Sequence, residues 1–160
     1  RAGPRPRPAM GPAAGEGVRL RPLREADLAG GLLGLLAQLT AVGDAPEGLL
    51  RARFRELQAD ANHLVLVAED AASGRLLGCG TLLVELKFAR GCGKCGHIED
   101  VVVDEAARGL RLGKRLVAAL TEAARERGCY KCILDCAEGN VGFYERCGFA
   151  RKEVQMALYF

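Results

Sequence analysis

An α/β domain with a central mixed sheet flanked by helices is the fold this sequence predicts, on three observations. Short apolar runs of strand length alternate with longer segments of helical periodicity. One helical stripe separates two β-rich segments, residues 97–103 and 130–136. A crossover helix of that kind makes its flanking strands parallel, with a right-handed connection. The chain has 160 residues, 49% apolar and 27% charged, which suits one domain with one sizeable core and excludes wholesale disorder. With no Trp, three Tyr and five Phe, that core must be aliphatic.

Residues 1–17 hold four of the six prolines and little that is apolar beyond alanine and Met10. They read as a flexible arm ahead of a domain spanning 18–160. Residues 18–22 alternate and stop at Pro22, a short first strand. Residues 25–40 are leucine-rich and helical, weakened by Gly30, Gly31 and Gly34 at about 1 kcal/mol each relative to Ala. Asp44-Ala45-Pro46-Glu47 reads as a capping box, followed by Leu50, Phe54 and Leu57 on one helix face. Polar Asp60, Asn62 and His63 end that helix. Residues 64–68 and 76–88 form a hairpin around a loop at 70–75, and residues 91–94 form a glycine-rich loop. The three valines closing 97–103 make that strand partly buried on both faces. Leu112, Leu116, Leu120 and Ala124 set a helical stripe ending near Gly128. A strand at 130–136, a short helix at 140–146 stopped by Gly148, and a last strand at 154–160 complete the order.

The formal charge is +3, of which the arm carries +2. The body is therefore nearly neutral and is not built for a polyanion, which excludes nucleic acid as a partner; a small anionic ligand depends on local clustering instead. The longest apolar stretch, residues 28–42, is interrupted by Gln38 and Thr40 and is too short and too polar for a membrane span. No signal peptide is visible, and the odd number of cysteines, seven, lies in ordinary apolar segments. Both features predict reduced thiols in an intracellular, cytoplasmic protein.

The most informative chemistry is at residues 108–115, Arg-Gly-Leu-Arg-Leu-Gly-Lys-Arg. Four cations crowd a helix start, an end that already carries partial positive charge. Together with the free amides of the first turn they repel one another unless an anion sits there. Gly109 and Gly113 let the backbone approach that anion closely. The pattern is neither the GxxxxGK[ST] loop nor the dinucleotide GxGxxG.

Glu99 and Asp100 lie in an apolar strand just before the valines, and strict alternation puts them on opposite faces, one of them near the core or a cleft. Asp135 ends the neighbouring parallel strand, at the carboxyl side where open α/β sheets collect ligands. Tyr144, on the short helix that follows, is placed to enter the same cleft and to donate a proton to a departing thiolate. Cys92-x-x-Cys95 and Cys129-x-x-Cys132 have zinc-like spacing, but the second pair points to both faces of a strand. His63 and His97 are 34 residues apart with no neighbouring ligands in sequence, and no metal is expected.

Gly96-His97-Ile98-Glu99-Asp100-Val101-Val102-Val103, the basic turn, Gly128-Cys129-Tyr130-Lys131, Leu134-Asp135-Cys136, Asn140-Val141-Gly142-Phe143-Tyr144-Glu145 and Lys152-Glu153-Val154 together carry a resemblance. Over about residues 18–160 the chain resembles the GNAT superfamily of N-acetyltransferases and, within it, the glucosamine-6-phosphate N-acetyltransferase family. The resemblance implies an acetyltransferase-like fold whose parallel strands splay to hold acetyl-CoA as cosubstrate. The pyrophosphate would meet Arg108, Gly109, Leu110, Arg111, Leu112, Gly113 and Lys114. The pantetheine arm would run beside Val101, Val102 and Val103, one of whose amides meets the thioester carbonyl. Asn140 and Tyr144 match positions near the coenzyme's arm and sulfur. Glu99 and Asp100 match acidic positions that orient the amino sugar, the Asp135 carbonyl matches one that orients the amine, and Thr40 and Lys131 match positions lining the sugar-phosphate site. The implied reaction is direct acetyl transfer to the 2-amine of glucosamine 6-phosphate, a step towards UDP-N-acetylglucosamine, in a homodimer whose sites are completed across subunits.

Two departures from the family pattern stand out. Arg111 occupies a turn position that is usually Gly in the superfamily, and the final segment, Gln155-Met156-Ala157-Leu158-Tyr159-Phe160, has no cation for the sugar phosphate. Phosphate recognition then falls to Lys131, Arg151, Lys152 or a partner subunit. Two rivals share the cofactor turn: an acetyltransferase acting on a protein or polyamine amine, and a non-catalytic CoA-binding module.

Overall fold

A computed structural model describes residues 17–160, in which five strands form one sheet in sequence order. β1 (Val18–Pro22), β2 (His63–Asp70), β3 (Leu76–Leu86) and β4 (Lys94–Val103) are successively antiparallel, and β5 (Cys129–Ile133) lies parallel to β4. α1 (Leu32–Leu36) and α2 (Glu47–Ala59) precede β2, and an irregular turn, α3 (Ala89–Cys92), joins β3 to β4. The crossover helix α4 (Leu112–Glu126) and the short α5 (Val141–Glu145) complete the chain, giving the expected mixed sheet with helices on both faces.

Alternation along the central strands divides the core in two. Leu66, Ala68, Leu82, Val84 and Ile98 face α4 and meet Leu116, Leu120, Ala123 and Ala124. Val67, Cys79 and Val102 face the other way, against Leu32 and Leu35 of α1 and Phe54 of α2. Each of the fully buried Leu82, Leu116 and Leu120 contributes about 1.5–3 kcal/mol by leaving water. α4 settles close to the sheet because glycines stand beneath it. A Cβ at Gly80 would lie 2.9 Å from Leu120 Cδ1, and one at Gly96 would lie 3.0 Å from Ala124 Cβ. At the far edge Arg21 is buried, its guanidinium donating to both Asp27 oxygens at 2.7 and 2.8 Å and to both Glu69 oxygens at 2.9 and 3.0 Å. These bonds clamp β1 to β2 and to the 3-10 turn Glu25–Leu28.

Several sequence expectations are corrected. The helix at 25–40 splits into that 3-10 turn and α1, because Gly31 takes φ 102°, left-handed backbone that ends one element and opens the next. The Asp44–Glu47 capping box does not form: Pro46 is the N-cap of α2, two residues late for Asp44, and Glu47 pairs with Arg51 at 2.6 Å instead. β4 begins at Lys94, so the expected loop at 91–94 ends one residue early and the strand expected at 97 starts three residues sooner. β5 stops at Ile133, so Asp135 lies just past its carboxyl end. Residues 154–160 form no strand, since among the described residues no strand edge accepts their backbone. Side-chain bonds tether this tail at Arg151 to Glu138 (2.6 Å) and Gln155 to Asp135 (2.9 Å), while Met156, Tyr159 and Phe160 face solvent. The predicted arm lies outside the described residues except for Gly17. Among the described residues no helix is long and apolar enough to cross a membrane.

Candidate active site

β4 and β5 are in register from Lys94 opposite Cys129 to His97 opposite Ile133, and there the pairing ends. β4 runs on for six more residues, leaving residues 98–103 without a neighbour on that side and opening a slot between the parallel strands. A bulge shapes the slot's wall. Cys79 pairs with Val102 and Thr81 with Glu99, so Gly80 alone opposes Asp100 and Val101. Asp100 absorbs the extra residue at φ 51°. The bulge breaks the alternation expected at Glu99 and Asp100: both side chains are exposed, and neither enters the core.

The basic turn follows directly. Asp104 caps the 3-10 turn Glu105–Ala107 by accepting from the Ala106 amide at 2.9 Å. Gly109 at φ 92° and Arg111 at φ 58° then bend the backbone into α4, where the amides of Leu112, Gly113 and Lys114 have no intrahelical acceptor. Left-handed φ at residue 111 explains why glycine suits this position: an L-side chain there costs roughly 1–2 kcal/mol. Leu112 anchors the turn, being buried beside Leu77 and Ala107. Arg108, Arg111 and Lys114 are exposed; Arg108 leans towards Glu105 at 3.6 Å, and Arg115 donates to the Val18 carbonyl at 2.8 Å. Three cations thus flank open amides, the arrangement that binds a diphosphate.

Gly113 brings the second cofactor segment alongside. A Cβ there would stand 3.2 Å from Phe143 Cζ, so α4 and α5 pack ring to backbone. Asn140 is the N-cap of α5, and Val141, Phe143 and Tyr144 are half-buried. Tyr144 stacks edge-on against Phe143, with centroids 4.9 Å apart, and against Phe149 at 6.2 Å. Burial pushes its phenol above the usual range, and Cys136, Cys147 and Glu99 add to the shift. The phenol therefore stays protonated at neutral pH, and its hydroxyl has no hydrogen-bond partner among the described residues. Glu99 is likewise shifted upward, first by partial desolvation and then by Asp135 and Asp100. Tyr144, Glu99, Asp100 and Asp135 therefore lie within electrostatic reach across the mouth of the slot.

Thr40 and Lys131 are not in this group. Thr40 is exposed at the end of α1, where its amide donates to the Leu36 carbonyl at 3.1 Å. Gln38, which sequence reading passed over, ties this segment to the cofactor turn by accepting from the Glu105 amide at 3.0 Å and donating to Asp104 at 3.3 Å. Lys131 pairs with Cys95, four residues before Glu99 on β4, roughly 13 Å along the strand at about 3.3 Å per residue. Its ammonium lies 5.9 Å from the Tyr130 ring centroid. Sequence reading also missed the bulge, whose signal was Gly80 inside a strand, the nearness of Cys147 to Tyr144, whose signal was their i,i+3 spacing, and that of Cys136, which no spacing reveals. All seven cysteines are free thiols.

A slot between splayed parallel strands, a bulge on its wall and an amide-rich basic turn at its mouth define an acyl-CoA-dependent transferase. Residues 36–149 match the model of the acetyltransferase (GNAT) family, and the chain belongs to that family and is an acetyltransferase. Within it the chain is related to the glucosamine 6-phosphate N-acetyltransferases. It is 58% identical over 147 residues to glucosamine 6-phosphate N-acetyltransferase 1 of Oryza sativa subsp. japonica, covering 91% of this chain and 89% of that protein. It is 43% identical over 145 residues to the enzyme of that name from Dictyostelium discoideum, covering 90% and 92%. Among solved structures, glucosamine-6-phosphate N-acetyltransferase from Arabidopsis thaliana superposes with a TM-score of 0.88 at 42% identity, covering 91% of this chain and 99% of that one.

Proposed function

We propose that this acetyltransferase moves the acetyl group of acetyl-CoA onto the 2-amine of glucosamine 6-phosphate, releasing N-acetylglucosamine 6-phosphate and CoA within a ternary complex. The observation that carries the reading is the slot where β4 and β5 part beside the basic turn, with Glu99 electrostatically coupled to both Tyr144 and Asp135. The names of the relatives described above support this acceptor. In this reading Arg108, Gly109, Leu110, Arg111, Leu112, Gly113 and Lys114 hold the pyrophosphate, and Val101, Val102, Val103 and Asn140 flank the pantetheine arm. Glu99 and Asp100 orient the sugar, the Asp135 carbonyl orients the amine, and Thr40 lines the sugar site.

The chemistry asks for little beyond positioning. A hexosamine amine is substantially neutral at about pH 7–8, so orientation suffices, and the proton the nitrogen loses as the amide forms passes to the departing sulfur, directly or through solvent. Charge developing on the thioester carbonyl meets a β4 amide. The sulfur leaves as a thiolate, and Tyr144 donates to it; because the phenol's pKa is raised, its contribution is a hydrogen bond that grows as sulfur becomes negative. No acyl-enzyme forms, consistent with the environment of Cys79, which burial pushes up to about 12, and of Cys132, pushed to about 11.

The same reading makes the protein a homodimer. Residues 154–160 expose Val154, Met156, Leu158, Tyr159 and Phe160, an apolar run that needs a cover. Lys131 is paired with Cys95, four residues back along β4 from Glu99, and in this reading it serves a partner's site. The test is acceptor-dependent release of CoA thiol. Release with glucosamine 6-phosphate but not with spermidine or a lysine peptide is expected. Release with those amines alone would overturn the acceptor, and acetyl-CoA binding with no release for any acceptor would leave a binding module.

A further inference from the structure

Gly96 points at α4, so its neighbours Cys95 and His97 point to the opposite face of the sheet. Glu85 of β3 lies directly across from Cys95 and shares that face. Three unlike donors meet there: a thiol sulfur, an imidazole nitrogen and a carboxylate oxygen, all within 4.8 Å of one another. None is used in the acetyl-transfer reading. We propose that Glu85, Cys95 and His97 form a binding site for a divalent cation of the zinc class, on β4 just ahead of Glu99.

The geometry is close to what such an ion requires. Tetrahedral zinc with sulfur at about 2.3 Å, nitrogen at about 2.0 Å and oxygen at about 2.1 Å holds its donors roughly 3.3–3.6 Å apart. His97 Nε2 and Glu85 Oε2 are held 2.9 Å apart by a hydrogen bond, which the ion replaces: the imidazole then carries its one proton on Nδ1, the pair opens by a few tenths of an ångström, and the sulfur closes in. Side-chain torsions cover that adjustment, because the register of β3 on β4 already sets the Cβ positions.

The Lys87 ammonium opposes a second cation by charge, but it also orients the carboxylate. Lys87 donates to Glu85 Oε1 at 2.6 Å, fixing the carboxylate's orientation while leaving Oε2 for the site, the role an outer-shell partner plays at metal centres. Cys95 is fully buried, so its sulfur is shielded from water and from oxidation. On binding, the S–H bond breaks, its proton goes to solvent, and a metal–sulfur bond forms. Thiolate and carboxylate then neutralise the double positive charge, and the imidazole binds uncharged. A sulfur donor selects against magnesium and calcium, and three protein ligands leave a fourth position for water. Sequence spacing hid the site because Glu85 lies on another strand.

Cobalt(II) is the probe, titrated into the purified full chain and followed by absorbance. The expected result is one equivalent bound, with a sulfur-to-cobalt charge-transfer band and the intense d–d bands of four-coordination, both abolished by added zinc. Cys95→Ala removes the charge-transfer band. Because that residue is buried, His97→Gln and Glu85→Gln, at half-exposed positions, serve as independent variants and weaken cobalt binding at least about tenfold. A charge-transfer band that persists in Cys95→Ala, unchanged affinity in both other variants, or no cobalt bound by the wild-type chain would each overturn the site. None of these readouts depends on acetyl transfer.

Discussion

Replacing Gly96 with alanine tests how tightly the slot is built. The new methyl would meet Cys132 Sγ at 2.8 Å, Ala124 Cβ at 3.0 Å and Leu82 Cδ1 at 3.1 Å. Comfortable carbon contacts lie near 3.5–4.0 Å, so each neighbour must retreat by roughly half an ångström or more. Two of the three cannot do so cheaply. Cys132 sits on a strand held to β4 by its ladder, and Ala124 has no rotamer to change on a helix buried against the sheet. Overpacking of this kind costs about 1–3 kcal/mol. For a domain of this size that lowers Tm by roughly 2–12 °C, at about 2–4 °C per kcal/mol. Thermal unfolding followed by circular dichroism reads the shift. Gly96→Ala combined with Cys132→Ala removes the nearest contact and recovers part of it. A Gly96→Ala protein melting within about 1 °C of wild type, or a double variant no better than the single, would refute the close-packing argument.

Tyr144→Phe lowers kcat by about ten- to a hundredfold, the scale of one lost hydrogen bond to a charged sulfur, while acetyl-CoA affinity by calorimetry stays near wild type. Neutralising Arg108 or Lys114 weakens acetyl-CoA binding about two- to fivefold each at low ionic strength, and the difference shrinks in added salt. On the proposed dimer, the full chain should sediment at twice the monomer mass and deletion of residues 154–160 should yield a monomer. Acid should unfold the protein through the Arg21 clamp. The Glu69 carboxyl is held at about 2 by hydrogen bonds from Arg21 and Arg19, and Arg21 also lowers Asp27. Carboxyls depressed in the folded state stabilise it above their unfolded pKa and lose that contribution as pH falls through the folded value. Denaturant midpoints should hold down to about pH 4.5 and decline towards pH 2, and Arg21→Met, lacking the clamp, should decline less steeply.

Much of the site was legible because its parts are local. Four cations and two glycines in eight residues announce an anion-binding helix start, and the 3.6-residue stripe through Leu112, Leu116, Leu120 and Ala124 is the stripe that is buried. The crossover helix made β4 and β5 parallel before any coordinates were needed. Misreadings came where a neighbour decides. Whether 154–160 is a strand depends on an available edge, and helix α2 began two residues late because Pro46 took the cap.

What the sequence alone determined, then, is the order and type of most elements between residues 47 and 146, the basic turn and the aliphatic faces, since periodicity and local charge are properties of contiguous residues. Tertiary structure alone decided where β4 and β5 part, how the bulge at Asp100 turns two adjacent carboxylates to the same solvent, and that Glu85, Cys95 and His97 share a face. Strand register brings residues distant in the chain within a few ångströms of each other, and register is chosen by the packing of whole faces rather than by any short motif.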